Sequence, residues 1–460
     1  MRRIALAASF GFALMASSAL AGDWVGFRGL SAGGASNDKG LPTKWSATEN
    51  VVWKTELPGP GASSPVVTGD KVLVTCYRVN SDKVERILVC ADRASGKILW
   101  SKSVPGARNE DPARGQLMSH GFASSTPVTD GEYVYVLFGK AGVVAFDLKG
   151  NELWKKSVGS GSAQMGWGSA ASPVLYKNLV IVNAGAEAEA IIALNRSTGD
   201  EVWKAPADGL NGCWATPILV DIGDGKQDLV LNAPYEIWGL NPDTGKVRWY
   251  CDGIQGGTVC PTVVTKDGIV YAIGGGGGGT QGAAVAVKAG GKGDVNKTHV
   301  VWRNERVGSY VTSPVIVGDH LYWINNQNVA ICLKLADGEV VYQERLAGGG
   351  GGGGSARPQP GGRPQPGGRP DGGFGGGFGG GRGGGGFGSQ PYASVVAADG
   401  KIFAFMRQSE AVVLAAEPKF EILAKNKLDD DAGIFNATPA IHNGQLLVRS
   451  DKYLYCLGTK

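Results

Sequence analysis

A small residue, a proline and β-branched neighbours recur along almost the whole chain, and self-similarity of that kind constrains a fold more than any single motif does. The copies read Ser64-Pro65-Val66-Val67, Thr126-Pro127-Val128, Ser172-Pro173-Val174-Leu175, Thr216-Pro217-Ile218-Leu219, Cys260-Pro261-Thr262-Val263, Ser313-Pro314-Val315-Ile316 and Thr438-Pro439-Ala440-Ile441. Ala393-Ser394-Val395-Val396 is a degenerate copy without its proline. Most steps are 44–62 residues; the step of 80 from Pro314 to Ser394 contains a Gly-rich insert of 41 residues, 348–388, and shrinks to 39 without it. Eight copies of one period result.

Each copy continues alike. A turn such as Thr129-Asp130-Gly131 leads to a β-branched and aromatic run, Tyr133-Val134-Tyr135-Val136, and a third run ends in a small residue, an apolar one and Asp or Asn, as in Ala193-Leu194-Asn195. A Gly turn then precedes an aromatic by four residues: Gly96 and Trp100, Gly199 and Trp203, Gly245 and Trp249. Gly supplies the positive φ of a tight hairpin, and Asp or Asn bonds the turn backbone. Four short strands per period make a sheet too small to stand alone, and repeating it around an axis buries both faces. The expectation is an all-β fold, an eight-bladed β-propeller of four-stranded antiparallel blades. Trp53, Trp100, Trp154, Trp203, Trp249, Trp302 and Tyr342 are expected to dock between neighbouring blades with each indole N–H satisfied. The last copy stops after its third strand, while Val51-Val52-Trp53-Lys54 reads as an orphan outer strand. Pairing the two closes the ring and removes an open edge.

The segments Ala91-Asp92-Arg93-Ala94-Ser95-Gly96-Lys97-Ile98-Leu99-Trp100 and Leu194-Asn195-Arg196-Ser197-Thr198-Gly199-Asp200-Glu201-Val202-Trp203 resemble the tryptophan-docking repeat of pyrroloquinoline-quinone-type propellers. Asp23-Trp24-Val25-Gly26-Phe27-Arg28-Gly29 is similar to the opening of secreted members. The family includes quinoprotein alcohol dehydrogenases and the propeller lipoprotein of outer-membrane assembly, so the resemblance implies a fold more firmly than an activity. In its enzymes it implies a quinone over the axis, a calcium ion, a catalytic Asp and, in several branches, a disulfide between adjacent cysteines. This sequence has no adjacent cysteine pair and no Cys-x-x-Cys-His motif. The reading adopted is a non-catalytic binding or scaffolding propeller of the cell envelope that holds a protein, peptide or polymer. No catalytic residue and no resident cofactor are assigned; the alternative is a periplasmic quinone-dependent oxidoreductase with pyrroloquinoline quinone and calcium.

Residues 1–21 fit a cleavable export signal, with Arg2 and Arg3, an apolar run and Ala19-Leu20-Ala21 at the cleavage point. Residues 22–49 form an N-terminal extension, and 50–460 the propeller. Export to the periplasm or beyond follows, with no transmembrane anchor and a monomer expected. The formal net charge of +4 drops to about +2 without the leader, too little to argue for nucleic acid.

Among the seven cysteines, Cys90, Cys332 and Cys456 fall in the small third-strand slot, and Cys260 in the slot before proline. Cys76, Cys213 and Cys251 are unplaced, and one bridge among them stays open. No zinc-ligand spacing is present. Asp221-Ile222-Gly223-Asp224-Gly225 reads as a hairpin turn, one residue short of a calcium loop. His120, Phe122, Trp167, Trp214, Tyr310 and Phe435 precede innermost strands, where connections converge on one mouth of the central channel. There they stack a ligand, or else plug the channel and pack between blades; Glu187 and Glu189 add acidity nearby. The insert, 24 Gly among 41 residues with Arg and Phe interspersed, is too poor in apolar surface to form a core of its own.

Overall fold

The computed structural model describes residues 22–29, 32–80, 83–275, 281–346 and 391–459. The expected export signal 1–21, the Gly-rich insert 348–388 and residues 276–280 lie outside the described residues.

Eight sheets of four antiparallel strands, one of them with a short added strand, form the propeller, and seven run from an inner to an outer strand in chain order. Blade 1 comprises Val66–Thr68, Lys71–Asn80, Lys83–Asp92 and Ile98–Pro105. Blade 8 takes its three inner strands from the C-terminus and its outer strand from Val51–Glu56, which pairs antiparallel with Tyr453–Leu457, Trp53 opposite Cys456. The expected closure of the ring is therefore present.

Every outer strand carries a register shift where it meets the small third-strand residue: Cys90 faces Trp100, Ala145 faces Trp154, Ala193 faces Trp203 and Cys332 faces Tyr342. A small side chain there leaves the ring room to lie across the sheet. Blade 7 has no aromatic in that place: Ala424 stands there, opposite Val413.

From this position the indole reaches the following blade. Trp53 Nε1 donates to Arg93 O at 2.9 Å, Trp100 to Leu148 O at 3.1 Å and Trp154 to Arg196 O at 2.9 Å. Trp203 bonds Pro242 O at 3.1 Å and Trp302 bonds Leu335 O at 2.7 Å. The Gly of the turn has two jobs. Gly96 adopts φ 72°, and a Cβ on it would lie 2.5 Å from the Trp53 ring, so it is also the floor on which the indole rests. Tyr342 packs edge-on against Phe420 instead, with centroids 5.6 Å apart.

Trp249 departs from the expectation. It is fully buried against Gly239 of its own blade, and Nε1 donates to Asp228 Oδ2 at 2.7 Å. The cause is the following blade, whose Thr-Gly turn is replaced by a longer loop. That loop lays Gly293–Asp294 parallel along Trp249 and Tyr250 as a fifth strand. Asp228 also accepts Gly290 N–H at 3.0 Å, so the carboxylate makes the link between blades that the indole makes elsewhere.

Apolar clusters seal the interfaces between neighbouring blades. Val134 and Phe146 pack with Leu73 and Leu88 between blades 1 and 2, and Phe403, Leu447 and Val74 join blades 7, 8 and 1. The extension 22–49 contributes Trp24, Leu41 and Trp45 to that last cluster.

Candidate functional site: a plugged channel with an aromatic mouth

The recurring Ser or Thr forms a ring around the axis. Ser64 N–H donates to Thr126 Oγ1, Thr126 N–H to Ser172 Oγ, and Ser172 N–H to Thr216 Oγ1, each at 3.0 Å. The chain continues through Thr262, Ser313 and Ser394 to Thr438, at 2.9–3.0 Å. Each residue lies two positions before its inner strand. In blade 5 that residue is Thr262, because the strand is Val264–Lys266. Cys260 is therefore not in the hydroxyl slot as expected: Pro261 is offset by two residues relative to the other copies, and Cys260 faces the channel instead.

The N-terminal extension crosses one end of the channel. Trp24 pairs with Val67, Thr129 N–H donates to Val25 O at 2.9 Å, and Phe27 enters the channel wall. Arg28, 1% exposed, donates to the carbonyls of Ala32, Pro314 and Val395. It has no carboxylate partner, and burial pulls its pKa down to about 9. Phe27 divides the space along the axis, with the aromatic pocket on one side and a second pocket, lined by Val25, Gly26 and the inner strands of blades 2 to 4, on the other.

Four of the six expected mouth residues line the aromatic pocket: His120, Trp167, Trp214 and Tyr310. Trp167 and Trp214 stack at 5.4 Å between centroids, and Trp214 Nε1 donates to Gly168 O at 2.7 Å. His120 ends the short helix Gln116–His120; its Nε2 lies 2.9 Å from Trp167 O and its Nδ1 2.6 Å from Ser124 Oγ. A carbonyl only accepts, so Nε2 carries the proton and Nδ1 accepts from the serine. Burial lowers the pKa of His120 to about 4, which keeps it neutral at pH 7.

The other two are elsewhere. Phe435 is wholly buried and stacks on Tyr455 in the blade 7–8–1 core. Phe122 packs edge-on to Tyr77 beneath Arg86 and lines a separate cavity. Glu187 lines that same cavity, almost fully buried and bonded by Ser169 Oγ, while Glu189 bonds Gly209 N–H. Ser124, Tyr392 and Asn436 were missed at the mouth. The signal was available: each lies two residues before a ring hydroxyl, as do Ala62, Ala170, Trp214, Cys260 and Val311, and all eight line the pocket. Arg407 sits over the Tyr392 ring and donates to Asn436 Oδ1, which steadies this side.

All seven cysteines are free, and burial pushes the Cys213, Cys251 and Cys260 thiols up to about 12. Asp221 Oδ1 accepts Gly223 N–H at 2.8 Å within a hairpin turn.

A family model described as outer membrane protein assembly factor BamB (PQQ_2) matches residues 46–212 and 85–344. The chain belongs to this family. BamB from Moraxella catarrhalis is a structural neighbour with a TM-score of 0.57 at 12% identity, covering 89% of this chain and 97% of that one. Quinohemoprotein alcohol dehydrogenase from Comamonas testosteroni has a TM-score of 0.60 at 11% identity, covering 97% and 82%. Such identities speak for the fold alone. Tetrathionate hydrolase from Acidithiobacillus ferrooxidans is 27% identical over 258 residues, 52% of this chain and 46% of its own length, so the chain spans about half of that relative.

The dehydrogenase members of the BamB-like fold imply a quinone and calcium, and the pocket does not fit them. Trp167 and Trp214 stack on each other, which leaves no slot for a planar ring between them. No Asp or Glu lines the pocket to meet calcium, and among the described residues no three His, Cys, Asp or Glu side chains cluster as metal ligands.

Proposed function

We propose that this propeller is an exported binding and scaffolding protein of the cell envelope, which grips an uncharged or aromatic segment of a partner at its channel mouth. The observation that carries this is the Trp167–Trp214 stack in a channel pocket whose lining contains no charged side chain. Aromatic faces bury large apolar area at little entropic cost, and hydroxyl and amide groups around them orient a ligand without selecting for charge. Membership in a family named for outer-membrane assembly supports a protein partner in the envelope. The N-terminal leader supports export, and no helix among the described residues is long and apolar enough to cross a membrane.

The test is capture from envelope extract by the wild type and by Trp167→Ala/Trp214→Ala, followed by a measured Kd for the partner so identified. A loss of at least tenfold in affinity is expected, measured where circular dichroism shows the variant folded, since Trp214 is buried and its loss also costs stability. Equal affinity of the two proteins contradicts the reading.

A further inference from the structure

His120 and Ser124 meet in the channel pocket in a geometry that the binding role does not use. His120 ends its short helix, and Gly121 follows at φ 74°, where a Cβ would lie 2.2 Å from the Tyr77 ring. The position admits only glycine, and the turn it permits brings Ser124 to the imidazole. Ser124 Oγ lies 2.6 Å from His120 Nδ1, and Nε2 lies 2.9 Å from the Trp167 carbonyl. The carbonyl fixes a hydrogen on Nε2, so Nδ1 has none, and the hydrogen in the 2.6 Å contact belongs to the serine. His120 O, at 3.3 Å, is the more distant acceptor. Both side chains line the pocket, and both residues are partly exposed. A hydroxyl bonded to a neutral imidazole, whose second nitrogen is oriented by a third group, is the arrangement of an activated nucleophile.

We propose that Ser124 is a nucleophile with His120 as its general base, and that the pocket hydrolyses small uncharged esters with a good leaving group. Ser124 Oγ attacks the ester carbonyl carbon while its proton passes to His120 Nδ1. The C–O bond to the leaving group then breaks, and the Nδ1 proton goes to the departing oxygen. Water repeats the cycle on the acyl-serine: its proton goes to Nδ1, its oxygen takes the acyl group, and the proton returns to Ser124 Oγ. Ester and water give acid and alcohol, and the dyad is restored. Trp167, Trp214 and Tyr310 supply apolar walls for an aryl or short acyl group, and the uncharged lining disfavours an ionic one. Burial holds the imidazole at a pKa of about 4, with the Arg407 cation adding to the effect. His120 is therefore free to accept a proton at neutral pH but is a weak base. That weakness, and a lining without a cation to steady an oxyanion, restrict the reaction to activated esters and exclude amides. Ser124 also lines the cavity that holds the Arg86–Glu110 and Lys140–Asp111 pairs and Glu187, ionisable groups that flank the dyad on its far side.

An uncharged alkyl fluorophosphonate, which transfers its phosphonyl group to an activated serine and releases fluoride, tests this on the purified protein. A single adduct, mapped to Ser124 by mass spectrometry, is expected, with the labelling rate down about a hundredfold in His120→Asn. The rate should rise through pH of about 4 and stay flat at neutral pH, where His120 is already unprotonated. A serine deprotonated by bulk hydroxide instead speeds up about tenfold per pH unit. p-Nitrophenyl butyrate should turn over repeatedly in the wild type and not in Ser124→Ala. The wild-type adduct and its pH profile need no variant, so a variant that fails to fold leaves the test intact. No partner is present either, so failure here leaves the capture experiment untouched. Absence of an adduct at Ser124, an equal rate in His120→Asn, a rate that climbs steadily with pH, or one burst of nitrophenolate without turnover would each overturn the proposal.

Discussion

Trp53, on the first strand of the propeller, donates its indole N–H to the carbonyl of Arg93 in blade 1 while its strand pairs with the last strand of the chain. One side chain therefore ties the N-terminal strand, the C-terminal blade and the first blade together. Trp53→Ala removes a buried ring and the bond, and a loss of about 3–5 kcal/mol is expected. Denaturant unfolding measures it, and deletion of residues 50–57 should cost more still.

The glycine beneath that ring gives a sharper comparison. An alanine at Gly96 meets both the positive φ and the indole, whereas Gly69, at φ 54°, has nothing within 4 Å of its would-be Cβ. Gly69→Ala should cost about 1 kcal/mol from backbone strain alone, and Gly96→Ala at least twice that, about 2–3 kcal/mol. Paired thermal melts decide it.

Blade 4 should depend on Asp228 rather than on a docked indole. Asp228→Ala leaves the Trp249 and Gly290 N–H groups without their acceptor and Arg248 with only the Gln227 carbonyl. A destabilisation of about 3 kcal/mol is expected. Hydrogen exchange should show the blade 4–5 interface opening first.

His120 makes a pH prediction of definite sign. Its folded pKa of about 4 lies below the ordinary 6.5, so between these values the unfolded chain binds a proton that the folded one does not. Its contribution is lost as pH falls from 6.5 toward 4 and is constant above 6.5. The ring edge is partly exposed, so the span should be about 1–3 kcal/mol. The raised pKa of Glu187 acts in the opposite direction, so the difference between wild type and His120→Asn across this window is the quantity to measure.

The fold was largely legible because its signal is local and repeated. A small residue opposite each docking ring, a Gly turn and a missing last strand can be read without knowing the third dimension. The site was legible only in part. Offset from a proline placed Trp167 and Trp214 near the mouth, but it could not separate Phe435, which turns into the core, from Asn436, which turns into the channel. In blade 5 the proline itself misled, since the ring follows the hydroxyl of Thr262 and not Pro261. The plug by Phe27 and Arg28 depends on where the extension crosses the ring, and no local pattern encodes that path. Trp249 was misplaced because its docking surface belongs to another blade, whose turn had been replaced.

Whether the mouth is the gripping surface can be asked most directly by site-specific photo-crosslinking in the native envelope. A photoreactive phenylalanine replaces Tyr310 at the mouth or, in a second protein, Val202 on the exposed outer rim of blade 3. A discrete adduct from position 310 and none from position 202 is predicted. Adducts from the rim alone, with a silent mouth, would contradict the account.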